Sequence, residues 1–202
     1  ELPFKYQDAS SKYQDASSKY QDSRSEKQEV RSKQQDDILK LIFLSLVEEK
    51  KGLALLFDCL AQLDFNWSLS IVGGGEAGYV ESLKWKVESL RLRGKVKWFG
   101  AIYGDEKFKL MAQHDYLILP SFDENFANVL IESLFVGTPV LVTENVGLSD
   151  YVKENNLGYV CERTKTGLVN LLFNAQKAKK MNVFKRSILN SVVVRDFEET
   201  AL

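Results

Sequence analysis

Two carboxylates, Glu124 and Glu132, stand in a stretch that otherwise suits a protein interior. Glu124 falls in Pro120-Ser-Phe-Asp-Glu-Asn, directly after the apolar run Tyr116-Leu-Ile-Leu119 that Pro120 stops. Glu132 interrupts residues 129–136, which are almost continuously apolar. A buried carboxylate without a partner costs several kcal/mol or takes up a proton, so Glu132 calls for a hydroxyl-rich ligand or a basic neighbour. Glu124 lies just beyond the carboxyl end of a strand, where open parallel sheets hold their ligands. On residue chemistry alone the bland alternatives stay open: Glu132 paired with a lysine, and Glu124 favouring the positive end of the next helix.

Positioning these groups takes a strand, a loop, a helix and a second strand. Residues 116–119 and 140–142 are the strands; Asn128 is suited to cap the helix between them and Gly137 to end it. Such a unit is a right-handed parallel crossover. The rest of the chain repeats the alternation. Residues 38–47 form a first core strand, 48–52 a charged turn and 53–63 an amphipathic helix. Strand 69–72 runs into Gly73-Gly-Gly-Glu-Ala-Gly78 and a helix to about residue 92. Strand 95–99 leads through Ala101-Ile-Tyr-Gly104 to a helix over 105–114, with Asp105 as its cap. After strand 138–143, Gly147 permits close backbone approach to a ligand, and Asp150 caps a helix over 151–155. Strand 158–160 and a helix from Thr166, with Leu168, Leu171, Leu172 and Phe173 on its apolar face, complete the order. The fold class is α/β: a three-layer, doubly wound, Rossmann-like domain with a mostly parallel sheet of about six strands.

Composition bounds the function. A chain of 202 residues, 45% apolar with a net charge of −1, fits one domain and has no basic field for nucleic acid. Cys59, Cys161 and the sole histidine, His114, show no metal-ligand spacing, and no Asp-x-Asp stands at a strand end. No metal is expected, both cysteines read as reduced core residues, and His114 reads as structural. No apolar run reaches membrane-span length and no signal-peptide core is present, so a cytoplasmic location is expected. Residues 1–36 are different material. Lys5-Tyr-Gln-Asp-Ala-Ser-Ser11 recurs at Lys12 to Ser18 and begins again at Lys19-Tyr-Gln-Asp22. One Tyr and one Ala per heptad make too thin a seam for a coiled coil, so this part reads as a polar tether before a folded domain over 37–202. Gly73, Gly75 and Gly78 formally satisfy the dinucleotide fingerprint, with a helix N-terminus suited to phosphate. An NAD site also needs an acid ending the next strand, and Gly100 stands there.

Glu124 and Glu132 form Glu-x7-Glu within Pro-Ser-x-x-Glu-x-Phe and Glu-Ser-Leu-x-x-Gly-Thr-Pro-Val. This pattern resembles the C-terminal nucleotide-sugar-binding domain of retaining GT-B glycosyltransferases of family 4, the glycosyl transferases group 1, from about Leu39 to about Val160. The resemblance implies transfer of a hexose from a UDP-, GDP- or ADP-sugar to a saccharide or lipid-linked acceptor, as in polysaccharide biosynthesis, with no further cofactor. A lipid-linked acceptor is compatible with peripheral association at the inner membrane face. Glu132 would take the ribose hydroxyls and Glu124 would sit at the sugar. Asn125, Phe126, Ala127, Asn128 and Val129 would face the diphosphate and sugar, the amides of 126–129 donating. Gly73 and Gly75 would abut the nucleotide, and Ile102 and Tyr103 the base. Lys51, in Lys50-Lys51-Gly52 after Phe43-Leu44-Ser45, would grip the diphosphate. Two departures stand out. Leu46 occupies the family's Arg position, and Ala127 occupies a position usually held by Gly, where its methyl is expected to narrow the sugar pocket. The acceptor half is expected to lie outside this chain, which alone should bind a nucleotide and transfer poorly. The alternative is a non-catalytic nucleotide-binding or assembly module derived from such a domain.

Overall fold

The computed structural model describes residues 37–125 and 127–181. The repeat tether, Phe126 and residues 182–202 lie outside the described residues. The compact unit that holds the sheet starts at Leu39.

Among the described residues six strands and six α-helices alternate: β1 Leu39–Leu44, α1 Leu53–Leu60, β2 Trp67–Val72, α2 Ala77–Ser89, β3 Val96–Gly100, α3 Asp105–Ala112, β4 Tyr116–Leu119, α4 Asn128–Phe135, β5 Val140–Thr143, α5 Ser149–Glu154, β6 Gly158–Cys161 and α6 Lys165–Met181. The strands form one sheet in the order β3-β2-β1-β4-β5-β6, and every neighbouring pair is parallel. The chain winds outward from β1 in one direction and, after returning to β4, outward in the other. Right-handed crossovers therefore put α1 and α2 on one face and α4 and α5 on the opposite face. The packing agrees, with α1 against α2 and α6, and α3 against α4. The Rossmann-like α/β expectation is met, with all six strands parallel.

The central strands are continuous apolar runs because helices cover both of their faces. Leu39, Leu41, Ile42 and Phe43 of β1, and all of β4 and β5, are buried. The helix after β4 closes at Gly137, whose φ of 78° lets its N–H reach the Leu134 carbonyl while Thr138 N–H reaches that of Ser133. That is the paired closure expected of a glycine just past a helix end. The expected caps differ in detail. Asn128 and Asp105 are first helical residues and Asp150 is a second one; Ala127, Gly104 and Leu148 precede the helices without side-chain cap bonds. Acids in a first turn still gain from the helix field, which is why Asp105 and Asp150 read as caps although they stand one and two residues inside their helices. Phe173 leaves the apolar stripe of α6, 42% exposed and edge-on to Phe65 at 5.3 Å.

Polar side chains pin the layers together. Asp115 accepts from the Lys40 N–H at 2.8 Å and from Lys179 Nζ at 2.7 Å, while Tyr116 Oη donates to the Ala175 carbonyl at 3.2 Å. These contacts hold α6 on the sheet. Burial pushes the Cys59 thiol up to about 11 and the Cys161 thiol up to about 12, so neither is a thiolate at neutral pH. No helix among the described residues is long and apolar enough to cross a membrane, and no group of His, Cys, Asp or Glu among them is arranged to hold a metal ion.

His114 is structural, as expected. Nδ1 donates to the Leu110 carbonyl at 2.7 Å, and Nε2 faces Ser70 Oγ at 2.8 Å, where neutral imidazole accepts the hydroxyl proton. Burial lowers its pKa from the ordinary 6.5. A base with a depressed folded pKa leaves the unfolded chain binding more protons, so stability is complete above about pH 6.5 and declines as pH falls below it. Urea unfolding between pH 7.5 and 5.5 should show that decline, roughly 1.4 kcal/mol for each unit of displacement, and His114→Gln should flatten it.

Candidate functional site

The winding direction reverses between β1 and β4, and the loops leaving their carboxyl ends meet there, where open α/β sheets hold ligands. The meeting is tight. Gly52 has φ of 74°, and a Cβ on it would lie 2.1 Å from the Pro120 carbonyl oxygen. Phe122 N–H donates to the Lys50 carbonyl at 2.7 Å, Ser121 Oγ donates to the same carbonyl at 3.2 Å, and Thr143 Oγ1 donates to that of Ser121 at 2.6 Å. The loop after β5 adds a third wall. Glu124 N–H donates to the Asn145 carbonyl at 3.2 Å, and the Glu124 carbonyl accepts from Gly147 N–H at 2.7 Å. A side chain on Gly147 would strike Asn125, with Cβ 2.0 Å from its carbonyl oxygen. Gly147 is thus explained by the approach of a neighbouring loop rather than of a ligand.

With both backbones fixed, Lys51 and Glu124 meet as a hydrogen-bonded ion pair, their side chains 9% and 20% exposed. The cation expected at a diphosphate and the carboxylate expected at a sugar are neighbours. Glu132, on α4, is the second pairing. Lys107 Nζ from α3 lies 2.6 Å from Glu132 Oε1, and the carboxylate keeps 31% of its surface. Of the two partners the sequence allowed, the basic neighbour is the one found. The carboxylate on its apolar helix therefore does not by itself demand a ligand, and neither of the two open clefts described below is lined by Glu132 or Glu124.

The glycine turn after β2 is explained by backbone packing. A Cβ on Gly73, whose φ is 142°, would lie 1.9 Å from the Ser45 carbonyl oxygen, and one on Gly75 would lie 2.3 Å from that of Val47. Val47 N–H donates to the Gly74 carbonyl at 2.7 Å, zipping the turn to the strand exit of β1. The phosphate reading of the following helix fails locally. Glu76 caps α2 itself, accepting from Gly78 N–H at 2.8 Å and Tyr79 N–H at 2.7 Å, bonds that lower its pKa. A carboxylate already occupies the donors a dinucleotide phosphate needs.

The remaining expected residues spread around the same end of the sheet. Ile102 packs partly against the core, while Tyr103 is 82% exposed with its ring open to stacking. Leu46 is exposed and lines an open cleft of about 480 Å³ with Val47, Gly74, Gly75 and Tyr79. Asn125 and Asn128 are exposed and Val129 is half-buried at the start of α4, whose N-terminus carries no side-chain cap. Ala127 corrects an expectation: it belongs to the hydrophobic core at 4% exposure, so its methyl packs inward and does not narrow a sugar pocket. Phe126 lies outside the described residues. Two cations escaped the sequence reading. Lys107 was implied only as an unnamed basic neighbour, and Arg163 stacks its guanidinium 3.9 Å from the Phe122 ring centre, a long-range contact with no local signal. A second cleft of about 390 Å³ lies between β6 and α6, lined among others by Cys161, Thr164 and Asn170.

A parallel sheet with its polar groups gathered at the switch point defines the class: a Rossmann-like α/β domain. The chain belongs to the glycosyl transferases group 1 family, whose model matches residues 24–181. It is 32% identical over 122 residues to an uncharacterized glycosyltransferase of Methanocaldococcus jannaschii, covering 59% of this chain and 30% of that protein. It is 31% identical over 115 residues to the lipopolysaccharide glucosyltransferase WaaG of Escherichia coli, covering 55% of this chain and 29% of WaaG. The crystal structure of WaaG superposes with a TM-score of 0.65 at 26% identity, over 75% of this chain and 42% of WaaG. Anabaena HepE in complex with UDP shares the fold at a TM-score of 0.69 and 22% identity, over 83% of this chain and 47% of HepE. The chain thus spans less than half the length of each of these relatives.

Removing one member of the Lys51–Glu124 pair leaves a largely desolvated charge, whereas removing both does not. Lys51→Met should therefore cost about 2–3 kcal/mol in urea unfolding, and Lys51→Met with Glu124→Gln together should recover more than half of it.

Proposed function

We propose that this chain is the donor-binding domain of a retaining glycosyltransferase that moves a hexose from a nucleoside diphosphate sugar to a saccharide or lipid-linked acceptor. The observation that carries the reading is the convergence of Lys51, Glu124 and the uncapped start of α4 at the switch point between β1 and β4. UDP in complexes of the structurally similar HepE supports a nucleotide as the ligand class.

The chemistry follows from these groups. Diphosphate departure leaves negative charge on the leaving group, and Lys51 with the amides of Asn128 and Val129 offers positive potential to it. Lys51 must then leave Glu124, which frees that carboxylate for a sugar hydroxyl or for the positive charge that grows as the glycosidic bond loosens. Glu132 accepts from the ribose hydroxyls through the oxygen that Lys107 does not hold, and Tyr103 offers a face to the base. Leu46 brings no charge, so the leaving group meets one cation fewer than the family pattern provides, and a full acceptor domain belongs on the open side of this end. On that ground a second reading remains, a non-catalytic nucleotide-binding module.

Calorimetric titration with UDP, GDP and ADP, each free and as the sugar conjugate, tests the reading. One nucleotide should bind with Kd between about 1 μM and 1 mM, and Glu132→Gln should weaken it about tenfold while still unfolding cooperatively. No binding by any of them contradicts the proposal. Binding without sugar transfer, once an acceptor domain is supplied, selects the second reading.

A further inference from the structure

Lys107 has no role in the family pattern carried over to this chain, yet it is the nearest charged group to Glu132. It lies on the first turn of α3, directly after the Ala101–Gly104 loop, with its N–H donating to the Gly104 carbonyl at 3.1 Å. Two contacts seat α3 against α4 at this point. Thr138 Oγ1 donates to the Met111 carbonyl at 3.0 Å, and Phe108 meets Phe135 edge-on at 6.4 Å. Phe108 also lies beneath the Lys107 ammonium, 4.9 Å from ring centre to Nζ. The ammonium is thus held from below by an aromatic face and in front by Glu132 Oε1 at 2.6 Å, with 19% of the side chain exposed. Glu132 Oε2 has no hydrogen-bond partner among the described residues. A carboxylate offers about four lone-pair sites, and one bond from Lys107 leaves the other oxygen free to accept hydroxyl donors.

We propose that Lys107 is a positioning residue for ribose recognition: it clamps one oxygen of Glu132 so that the other is presented, in a fixed rotamer, to a vicinal diol. This rests on the donor-binding reading above. Two physical consequences follow. A flexible glutamate would lose side-chain entropy on gripping the ribose, and the Lys107 bond incurs that loss before the ligand arrives. A bare carboxylate beside a diphosphate would also repel it, and the ammonium offsets this repulsion. Because Lys107 follows the loop expected at the base, a shift of that loop on base binding moves the clamp and therefore the carboxylate.

The test uses the full 202-residue chain and whichever of UDP, GDP or ADP it binds, with the corresponding 2′-deoxy and 3′-deoxy nucleotides. The unmodified chain should favour the ribonucleotide by about tenfold, as one charge-assisted hydrogen bond would give. Lys107→Met should shrink that preference to within about threefold, and Lys107→Arg should keep it. Adding Lys107→Met to Glu132→Gln should change the preference no further, because the clamp acts only through that carboxylate. A Lys107→Met protein that discriminates as the parent does, or that loses ribo- and deoxynucleotide affinity equally, overturns the proposal and leaves the donor-binding reading standing. A parent chain that binds no nucleotide overturns both. Should Lys107→Met fail to fold, the outcome is decided by Lys107→Arg and Lys107→Gln: loss of the preference in Gln with retention in Arg supports the clamp, and equal preference in both refutes it.

Discussion

The carbonyl of Pro120 comes so close to Gly52 that no side chain fits between them, and the candidate site depends on that approach. It brings the turn after β1 and the loop after β4 into register at the centre of the sheet. Lys50 then bonds through its carbonyl to Phe122, and Lys51 turns its ammonium onto Glu124. A second close approach, Gly147 on Asn125, holds the other side of the same loop. Side-chain chemistry here is placed by backbone contact, so a methyl group at either glycine would displace charges it never touches.

The two ion pairs give the site a definite electrostatic state. Each acidic group of the Glu-x7-Glu pair is held by a lysine, Glu124 by Lys51 and Glu132 by Lys107. Charges this far desolvated need partners, because an unpaired one costs more than the pair returns. In the donor-binding reading proposed above, a phosphate takes Lys51 from Glu124, whereas Lys107 keeps its oxygen of Glu132 and ribose hydroxyls take the other. The glycine turn after β2 behaves differently. Its helix end is satisfied by Glu76, a fixed internal carboxylate, so no exchange is built into it.

Much of this was legible in the sequence, for stated physical reasons. Apolar runs such as Tyr116–Leu119 and Val140–Thr143 identify buried parallel strands because both faces are covered, and Gly137 marks a helix end because its φ is positive. The Glu-x7-Glu spacing pointed to the candidate site through resemblance. What escaped notice was long-range. Nothing local joins Lys107 to Glu132 or Arg163 to Phe122, since those distances follow from how α3 packs on α4 and how β6 ends beside the loop after β4. Some local signals have a packing source. Gly73, Gly75 and Gly147 looked suited to a ligand, whereas neighbouring backbone accounts for each, and Ala127 points its methyl into the core.

The central claim is that the switch point between β1 and β4 holds a sugar-bearing nucleotide through Lys51, Glu124 and Glu132. A crystal structure grown with a mixture of UDP-, GDP- and ADP-glucose tests it most directly. The account predicts density with the ribose against Glu132, the phosphates between Lys51 and the start of α4, and Lys51 withdrawn from Glu124. Density seated instead on the Gly73–Gly78 turn, or a nucleotide bound while both ion pairs stay closed, would contradict it.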